Sequence, residues 1–271
     1  MSPAVRLAVL GDPLAHTRSP ELHRAGAAAL GFTCDSIALR TPVVSLAATL
    51  ARLAAEGYTG CNLTMPLKEP ALALVKAATP AAREARSVNT ITFAPAGPHG
   101  DTTDGAGFVE LLAVLGREAA LARVTLLGSG GSARSLAQAL TRAGAAPVHV
   151  VSRRSPAAEA AWGGSLEGRW AEWASAGARV LVAGCDVLVN ATPLGGESLA
   201  WPLAELAPGT LVVDLTYGDD VSPWVAGARA RRFEAVDGLG LLVHQARLSL
   251  TRWFAREVPL APLAAAVGWP R

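Results

Sequence analysis

The glycine-rich segment Gly128–Ala133 constrains the fold of this chain more than any other feature. Read from Gly128 through Gly130 to Ala133, it fits the pattern G-x-G-x-x-G/A. It follows the β-prone run Val124–Leu127 and opens a segment with helical periodicity, which is the strand–turn–helix context that the pattern requires. The glycines permit a tight turn and let backbone N–H groups approach a pyrophosphate, which the positive end of the helix dipole stabilises. The segment therefore predicts a dinucleotide-binding βαβ unit.

Short β-prone runs alternate with helical segments along the rest of the chain. The predicted strands are residues 5–10, 32–39, 60–64, 124–127, 148–151, 186–190 and 210–214. Helices are predicted over 19–31 and 43–55, the first of them with Ser19 as its N-cap and Pro20 at its first position. The spacing of the later strands leaves room for crossover helices. This pattern predicts an α/β fold with an N-terminal α/β domain and a Rossmann-like, doubly wound second domain.

The length of 271 residues favours two domains, at about 100–200 residues per domain. The turn-rich stretch Gly97–Asp101 is the expected place for the chain to cross between them. Apolar residues at helical spacing over 239–256 predict a final helix that returns to the first domain. The expected domains are therefore residues 1–101 with 239–271, and residues 102–238.

Composition excludes several classes of protein. Hydrophobic residues make up 51% and charged residues 17%, which indicates a globular chain and not a disordered one. No apolar run approaches the roughly 18 residues of a membrane span. A net charge of +2 is too small to indicate nucleic acid, so a small molecule is the expected partner. The N-terminal residues lack the pattern of a signal peptide, and we expect a cytoplasmic protein.

The three cysteines indicate neither a disulfide framework nor a metal site. Cys34, Cys61 and Cys185 are odd in number, far apart and in no C-x-x-C pair. We expect all three to be buried and no metal to be bound.

The end of the second strand of the predicted nucleotide unit favours NADP over NAD. NAD-binding domains carry an acidic residue there, about 20 residues after the glycines, to hold the ribose 2′-hydroxyl. This chain has Ser152, Arg153 and Arg154 instead, and two guanidinium groups suit a 2′-phosphate. The alternative is a glycine turn beside a solvated arginine pair.

Further polar motifs occur in a fixed order along the chain, at residues 11–20, 62–68, 87–90, 100–105, 190–195 and 237–245. Together with the nucleotide loop, they resemble the shikimate dehydrogenase family over nearly the whole chain. The resemblance implies an NADP(H)-dependent enzyme that reduces 3-dehydroshikimate to shikimate in a cleft between two domains.

Lys68 and Asp104 are, by this resemblance, the catalytic pair. Hydride transfer to a ketone builds negative charge on its oxygen, and a cation with a transferable proton stabilises that charge. An ammonium group meets this need, whereas arginine is too weak an acid to give up a proton near neutral pH. Asp104 would hold the ammonium and accept a hydrogen bond from a substrate hydroxyl. The other interpretations are an exposed loop lysine for Lys68 and a helix cap for Asp104.

The resemblance also implies the residues that bind the two small molecules. By this resemblance, the substrate carboxylate would be bound by Thr17, Ser19 and Tyr217. The ring hydroxyls would be bound by Asn62, Thr64, Asn89 and Gln245. The cofactor would be bound by Gly128, Ser129, Gly130, Gly131, Ser132, Ala133, Ser152, Arg153, Arg154, Thr192, Gly238 and Leu241. His16 and His23 have no paired carboxylate and no metal-ligand spacing, so we expect both to lie outside the chemistry.

Several residues depart from the family pattern and leave the substrate open. Thr17 stands where serine is usual, and Arg86 stands where a small residue is common. The family includes members that use quinate or aminated shikimate, which is the nearest alternative. A non-catalytic NADP-binding sensor is the alternative from another class. A monomer or a homodimer is expected.

Overall fold

A computed structural model describes residues 4–14, 17–153, 155–164, 166–194 and 203–271. The chain divides into two compact units. Unit 1 contains Met1–Gly107 and Leu242–Pro270, and unit 2 contains Phe108–Leu241 together with Arg271. Each unit has its own sheet of six strands among the described residues. The α/β fold class predicted from the sequence is confirmed.

The helices and strands follow one another in a regular alternation. The first are β1 (Ala4–Gly11), α1 (Ser19–Ala29), β2 (Thr33–Arg40), α2 (Leu46–Ala55), β3 (Gly60–Leu63), β4 (Ala77–Ala78), α3 (Pro80–Ala85), β5 (Thr90–Ala94), β6 (Gly97–Asp101) and α4 (Asp104–Val114). The later ones are β7 (Val124–Leu127), α5 (Gly131–Arg142), β8 (His149–Ser152), α6 (Ser155–Trp162), β9 (Trp170–Glu172), α7 (Ala176–Ala183), β10 (Val187–Asn190), β11 (Leu211–Asp214), α8 (Pro223–Ala230), β12 (Ala235–Val236), α9 (Leu239–Phe254) and α10 (Leu260–Val267).

The sheet of unit 1 has the strand order β2-β1-β3-β5-β6-β4. Strand β1 pairs in parallel with β2 and β3, whereas β5 is antiparallel to both β3 and β6. Helix α2 buries Leu46, Leu50 and Leu53, which lie on one face because they are spaced four and three residues apart. All four residues of β3 are buried, so the chain that leaves β3 starts from a fixed position.

The sheet of unit 2 has the order β12-β11-β10-β7-β8-β9, and all of its neighbouring strands are parallel. This is the doubly wound dinucleotide-binding order, in which the direction of winding reverses between β7 and β10. Strands β7, β10 and β11 are buried along their whole length. Their apolar runs are typical of strands with both faces covered.

The structure corrects the turn prediction for Gly97–Asp101. This stretch is strand β6, which forms a hairpin with β5 in a register that pairs Thr90 with Asp101 and Ala94 with Gly97. Its glycine and proline content hides the strand, because neither residue favours β structure. The division between the two units instead falls inside α4, after Gly107.

Two local expectations are also wrong. Helix α1 begins at Ser19, with Arg18 at the N-cap position and no side-chain cap, so Ser19 does not cap the helix. Cys34 is half-buried, whereas Cys61 and Cys185 are buried, and all three are free. Burial raises the pKa of the Cys185 thiol to about 12 and that of Cys34 to about 11, so both are protonated near neutral pH.

Four further strands, β4, β5, β9 and β12, were not predicted from the sequence. Three of them, β4, β9 and β12, have only two or three residues. Among the described residues, no helix is long and apolar enough to cross a membrane. The described residues also contain no cluster of three or more His, Cys, Asp or Glu side chains that would hold a metal ion.

Candidate active site

An ion pair between Lys68 and Asp104 is the centre of the polar cluster in unit 1. Lys68 follows β3, and Asp104 is the first residue of α4. The Lys68 Nζ lies 2.6 Å from the Asp104 Oδ2, and the two side chains are 16% and 5% exposed. A buried ion pair contributes little net stability, because desolvation of the charges offsets their attraction. The lysine predicted as an acid is thus held against the predicted carboxylate and still reaches solvent.

Asn89 fixes the orientation of the Asp104 carboxylate. Its Nδ2 donates to the Asp104 Oδ1 at 2.7 Å, so each carboxylate oxygen has a donor from a different element. The Asn89 Oδ1 accepts from the backbone N–H of Thr103 at 2.9 Å, which fixes the rotation of the amide. Gln245 of α9 joins the same cluster, with its Oε1 3.2 Å from the Asn89 Nδ2.

Asn62 is held in a buried network that ends in a neutral histidine. Its Nδ2 donates to the Asn89 carbonyl at 3.0 Å, so its Oδ1 faces His23 Nε2 at 2.9 Å and accepts from it. The other ring nitrogen of His23 then accepts from the Ser36 hydroxyl at 2.8 Å. Burial lowers the pKa of His23 to about 4, with the hydrogen bond to Asn62 opposing that shift. His23 is therefore a packed, uncharged side chain.

Three further predicted substrate residues lie in unit 1. The Thr17 hydroxyl donates to the Ser19 Oγ at 3.3 Å, which places the two hydroxyls side by side at the start of α1. Thr64 is half-buried and directly follows β3. His16, which was expected to lie outside the chemistry, is outside the described residues.

Sequence reasoning missed Thr90, Thr103 and Ser249, which complete this cluster. The Thr90 and Ser249 hydroxyls are 2.7 Å apart, and Ser249 also lies 3.1 Å from the Asn62 Nδ2. A signal was present for Ser249, which follows Gln245 by four residues and so shares its face of α9. Thr103 immediately precedes Asp104, but nothing in the sequence shows that its hydroxyl turns toward Asn89.

The nucleotide loop of unit 2 lies where the winding of the sheet reverses. Gly128 follows β7 and has a φ of +112°. A Cβ there would lie 3.0 Å from the Ala191 carbonyl oxygen and 3.0 Å from the Thr192 Cγ2, on the loop after β10. A Cβ on Gly130, the N-cap of α5, would meet only open space. The loop thus leaves room above the N-terminus of α5, and helix N-termini of this kind favour phosphate groups.

The remaining residues of this loop are arranged to support it. Ala133 is fully buried, which lets α5 pack closely on the sheet. The Trp162 indole donates to the Ser129 carbonyl at 3.2 Å. Gly131 and Ser132 form the first turn of α5.

The end of β8 carries Ser152 and Arg153, at the position where dinucleotide-binding domains contact the adenosine ribose. The Ser152 side chain is 4% exposed, and its Oγ has no hydrogen-bond partner among the described residues. Arg153 follows and is exposed, whereas Arg154 lies outside the described residues. These residues fit the adenosine end of a dinucleotide that carries a 2′-phosphate.

The last predicted site residues lie after β11 and β12. Tyr217 is half-buried in an irregular loop. Gly238 donates its N–H to the Thr216 carbonyl at 2.9 Å, and a Cβ there would lie 2.7 Å from the Leu215 carbonyl carbon. Leu241 is 7% exposed in the first turn of α9. Tyr217 thus belongs to unit 2, whereas the other predicted substrate residues belong to unit 1.

Comparison with known proteins gives a consistent result. The family model of the shikimate dehydrogenase substrate binding domain matches residues 9–91. The chain is 40% identical over 255 residues to the shikimate dehydrogenase (NADP(+)) of Gluconobacter oxydans, covering 91% of this chain and 88% of that protein.

Two solved structures are similar throughout. The shikimate 5-dehydrogenase of Thermus thermophilus, in complex with NADP(H) and shikimate, is 30% identical with a TM-score of 0.87, over 97% of this chain and 98% of that one. The ligand-free 5-ketofructose reductase of Gluconobacter sp. strain CHM43 is 26% identical with a TM-score of 0.82, over 98% of both chains.

Proposed function

The chain belongs to the shikimate dehydrogenase family, and we propose that it catalyses the reversible, NADP-dependent reduction of 3-dehydroshikimate to shikimate. The observation that carries this proposal is the 2.6 Å contact between Lys68 and a carboxylate that Asn89 orients. Through this contact Asp104 fixes the position of the Lys68 ammonium, which can donate a proton. The amide and hydroxyl side chains nearby can bond to hydroxyl groups of a substrate.

NADPH would be held by the glycine loop Gly128–Ala133 and by Arg153, and would supply a hydride for the carbonyl carbon of the substrate. Lys68 faces the carbonyl oxygen, stabilises the negative charge that gathers there and gives it a proton. In the direction of oxidation the same amine accepts the proton of the hydroxyl. Asp104 holds the ammonium and, through its second oxygen, stays aligned with Asn89.

The neutral donors and acceptors around this pair suit a polyhydroxy acid. Thr17 and Ser19 present two adjacent hydroxyls, which hold a carboxylate by hydrogen bonds without adding a charge. Asn89 bonds to both Asp104 and Gln245, and we assign these two amides to the ring hydroxyls. Asn62 is also buried, and His23 fixes the orientation of its amide.

Unit 2 is the proposed NADP domain, and unit 1 the proposed substrate domain. Exposed Arg153 and the absence of an acidic residue at positions 152–153 favour the 2′-phosphate of NADP over the ribose of NAD. We also infer a cytoplasmic enzyme that is a monomer or a homodimer, which light scattering on the purified chain would decide.

The test is a substitution of each of the only two lysines in the chain. Lys68→Ala is expected to lower kcat for shikimate oxidation by roughly 10²–10⁴-fold, the usual effect of removing a positioned acid or base, with a smaller change in KM. Lys76→Ala is the matched control, because Lys76 is exposed. A near-normal kcat for Lys68→Ala would remove this residue from the mechanism.

Substrate identity is tested on the unmodified protein. Rates with shikimate and quinate, each with NADP+ and NAD+, are compared at equal concentrations. The proposal expects shikimate with NADP+ to give the highest kcat/KM. Higher kcat/KM with quinate would reassign the substrate, and tight NADP+ binding without turnover of either acid would indicate a sensor.

A further inference from the structure

Arg271 lies against the loop that carries Tyr217. Its guanidinium donates to three successive backbone carbonyls, those of Gly218 at 2.9 Å, Asp219 at 2.6 Å and Asp220 at 3.2 Å. Residues 215–222 contain no helix or strand, so these carbonyls have no ladder of backbone hydrogen bonds to satisfy them. The side chain of Arg271 thus closes the loop from one side.

The same guanidinium neutralises a buried carboxylate. The Arg271 Nε donates to the Asp237 Oδ2 at 2.8 Å, and Asp237 is 3% exposed. The other oxygen of Asp237 accepts from the Leu239 N–H at 3.1 Å, at the start of α9. A buried carboxylate is costly unless it is paired or hydrogen-bonded, and Arg271 pairs with Asp237 through a planar guanidinium that lysine lacks.

The far end of the loop is anchored independently. Asp214 at the end of β11 accepts from the Thr216 N–H at 3.0 Å and from Asn190 at 2.9 Å. Tyr217 therefore lies between two anchors, the Asp214 carboxylate before it and the Arg271 guanidinium after it. The Gly238 N–H, bonded to the Thr216 carbonyl, ties the turn beside Asp237 to the same loop.

We propose that Arg271 is a positioning residue, which holds the loop 218–220 and the turn at Asp237 so that Tyr217 is presented to the substrate. It touches neither substrate nor cofactor in this role. The inference rests on the proposed function, because it takes Tyr217 as a substrate contact. Arg271 lies outside all the sequence motifs, and this role gives it an effect on substrate affinity.

The experiment compares Arg271→Ala and Arg271→Lys with Arg231→Ala. Arg231 is an exposed arginine of the same unit that donates to the Gly227 carbonyl, so its removal controls for loss of a surface charge. Arg271→Ala is expected to raise KM for shikimate roughly tenfold with kcat within about twofold, since positioning a binding loop affects ground state and transition state alike. Arg271→Lys is expected to fall between the wild type and Arg271→Ala, because one ammonium cannot reach the carboxylate and three carbonyls together.

Amide hydrogen exchange in peptides covering 215–222 is the second readout, because a purely stabilising role would not confine the change to this loop. Faster exchange there in Arg271→Ala, and not in Arg231→Ala, is expected. A lowered melting temperature with unchanged KM and unchanged exchange in the loop would overturn the inference. If Arg271→Ala does not fold, the KM and exchange of Arg271→Lys decide. A wild type that does not oxidise shikimate contradicts the proposed function instead, and the exchange comparison still decides whether Arg271 holds the loop.

Discussion

Acidification is expected to destabilise unit 1 through His23. The ring is fully buried, both of its nitrogens are hydrogen-bonded, and burial lowers its pKa from an ordinary 6.5 to about 4. The folded pKa lies below the unfolded one, so between pH 6.5 and 4 the unfolded chain binds a proton that the folded chain does not. The free energy of unfolding therefore falls as the pH falls through this range, and is unaffected by His23 above it.

The size of this effect follows from the gap between the two pKa values. A gap from 6.5 to about 4 corresponds to about 3 kcal/mol in the acid limit, of which about 2 kcal/mol is lost by pH 5. Domains are stable by about 5–15 kcal/mol, so one histidine removes a substantial part of that margin.

The measurement is hydrogen exchange of the buried amides of β3, which report the opening of unit 1, at pH 7.5 to 5.0 after correction for the intrinsic rate. His23→Gln is expected to show a flatter dependence of opening free energy on pH than the wild type. His149→Gln is the control, because His149 lies in unit 2 and is only partly buried. Parallel slopes for the wild type and His23→Gln would refute the reasoning, as would a His23 pKa near 6.5 measured directly by NMR.

Two further predictions concern unit 2. Arg153→Ala is expected to raise KM for NADP+ more than KM for NAD+, because only NADP+ has the 2′-phosphate; an equal change for both would contradict the assignment. Gly238→Ala is expected to lower the free energy of urea unfolding by about 1–3 kcal/mol, because the new methyl group meets the Leu215 carbonyl. Gly177→Ala in α7 is its control and is expected to raise stability by up to about 1 kcal/mol, since the contacts there are 3.7 Å. Equal effects of the two glycine substitutions on the free energy of unfolding would show that the backbone moves to relieve the contact between the new methyl group and the Leu215 carbonyl.

Much of the fold was predictable because it follows local rules. The apolar runs before Gly128 and before Thr192 are long enough to indicate β7 and β10. The glycines that follow β7 indicate the turn into α5. Strand β6 was not predicted, because glycine and proline within it indicate a turn. Its pairing with β5 makes it a strand. The two-residue strand β12 has too few residues for any periodicity.

The candidate site divides in the same way. Lys68 and Asp104 were predicted as a pair from the family resemblance, and Asn89 as a contact of the ring hydroxyls. The structure adds that Asn89 also donates to the Asp104 carboxylate. Thr103 and Ser249 were missed because a single hydroxyl in a sequence does not show what it faces. Arg271 lies in no motif, and only its position against the loop after Tyr217 reveals its contacts.

The sequence by itself determined the alternation of strands and helices, the glycine turn and the kinds of side chain available for chemistry, because these depend on neighbouring residues and on intrinsic conformational preference. Tertiary structure alone decided which distant groups share a hydrogen bond, which titratable rings lose their contact with water and which hydroxyls remain without a partner. Those properties depend on burial and on the convergence of segments far apart in the chain. Local sequence patterns indicate which face of an element is buried, but not which distant groups meet there.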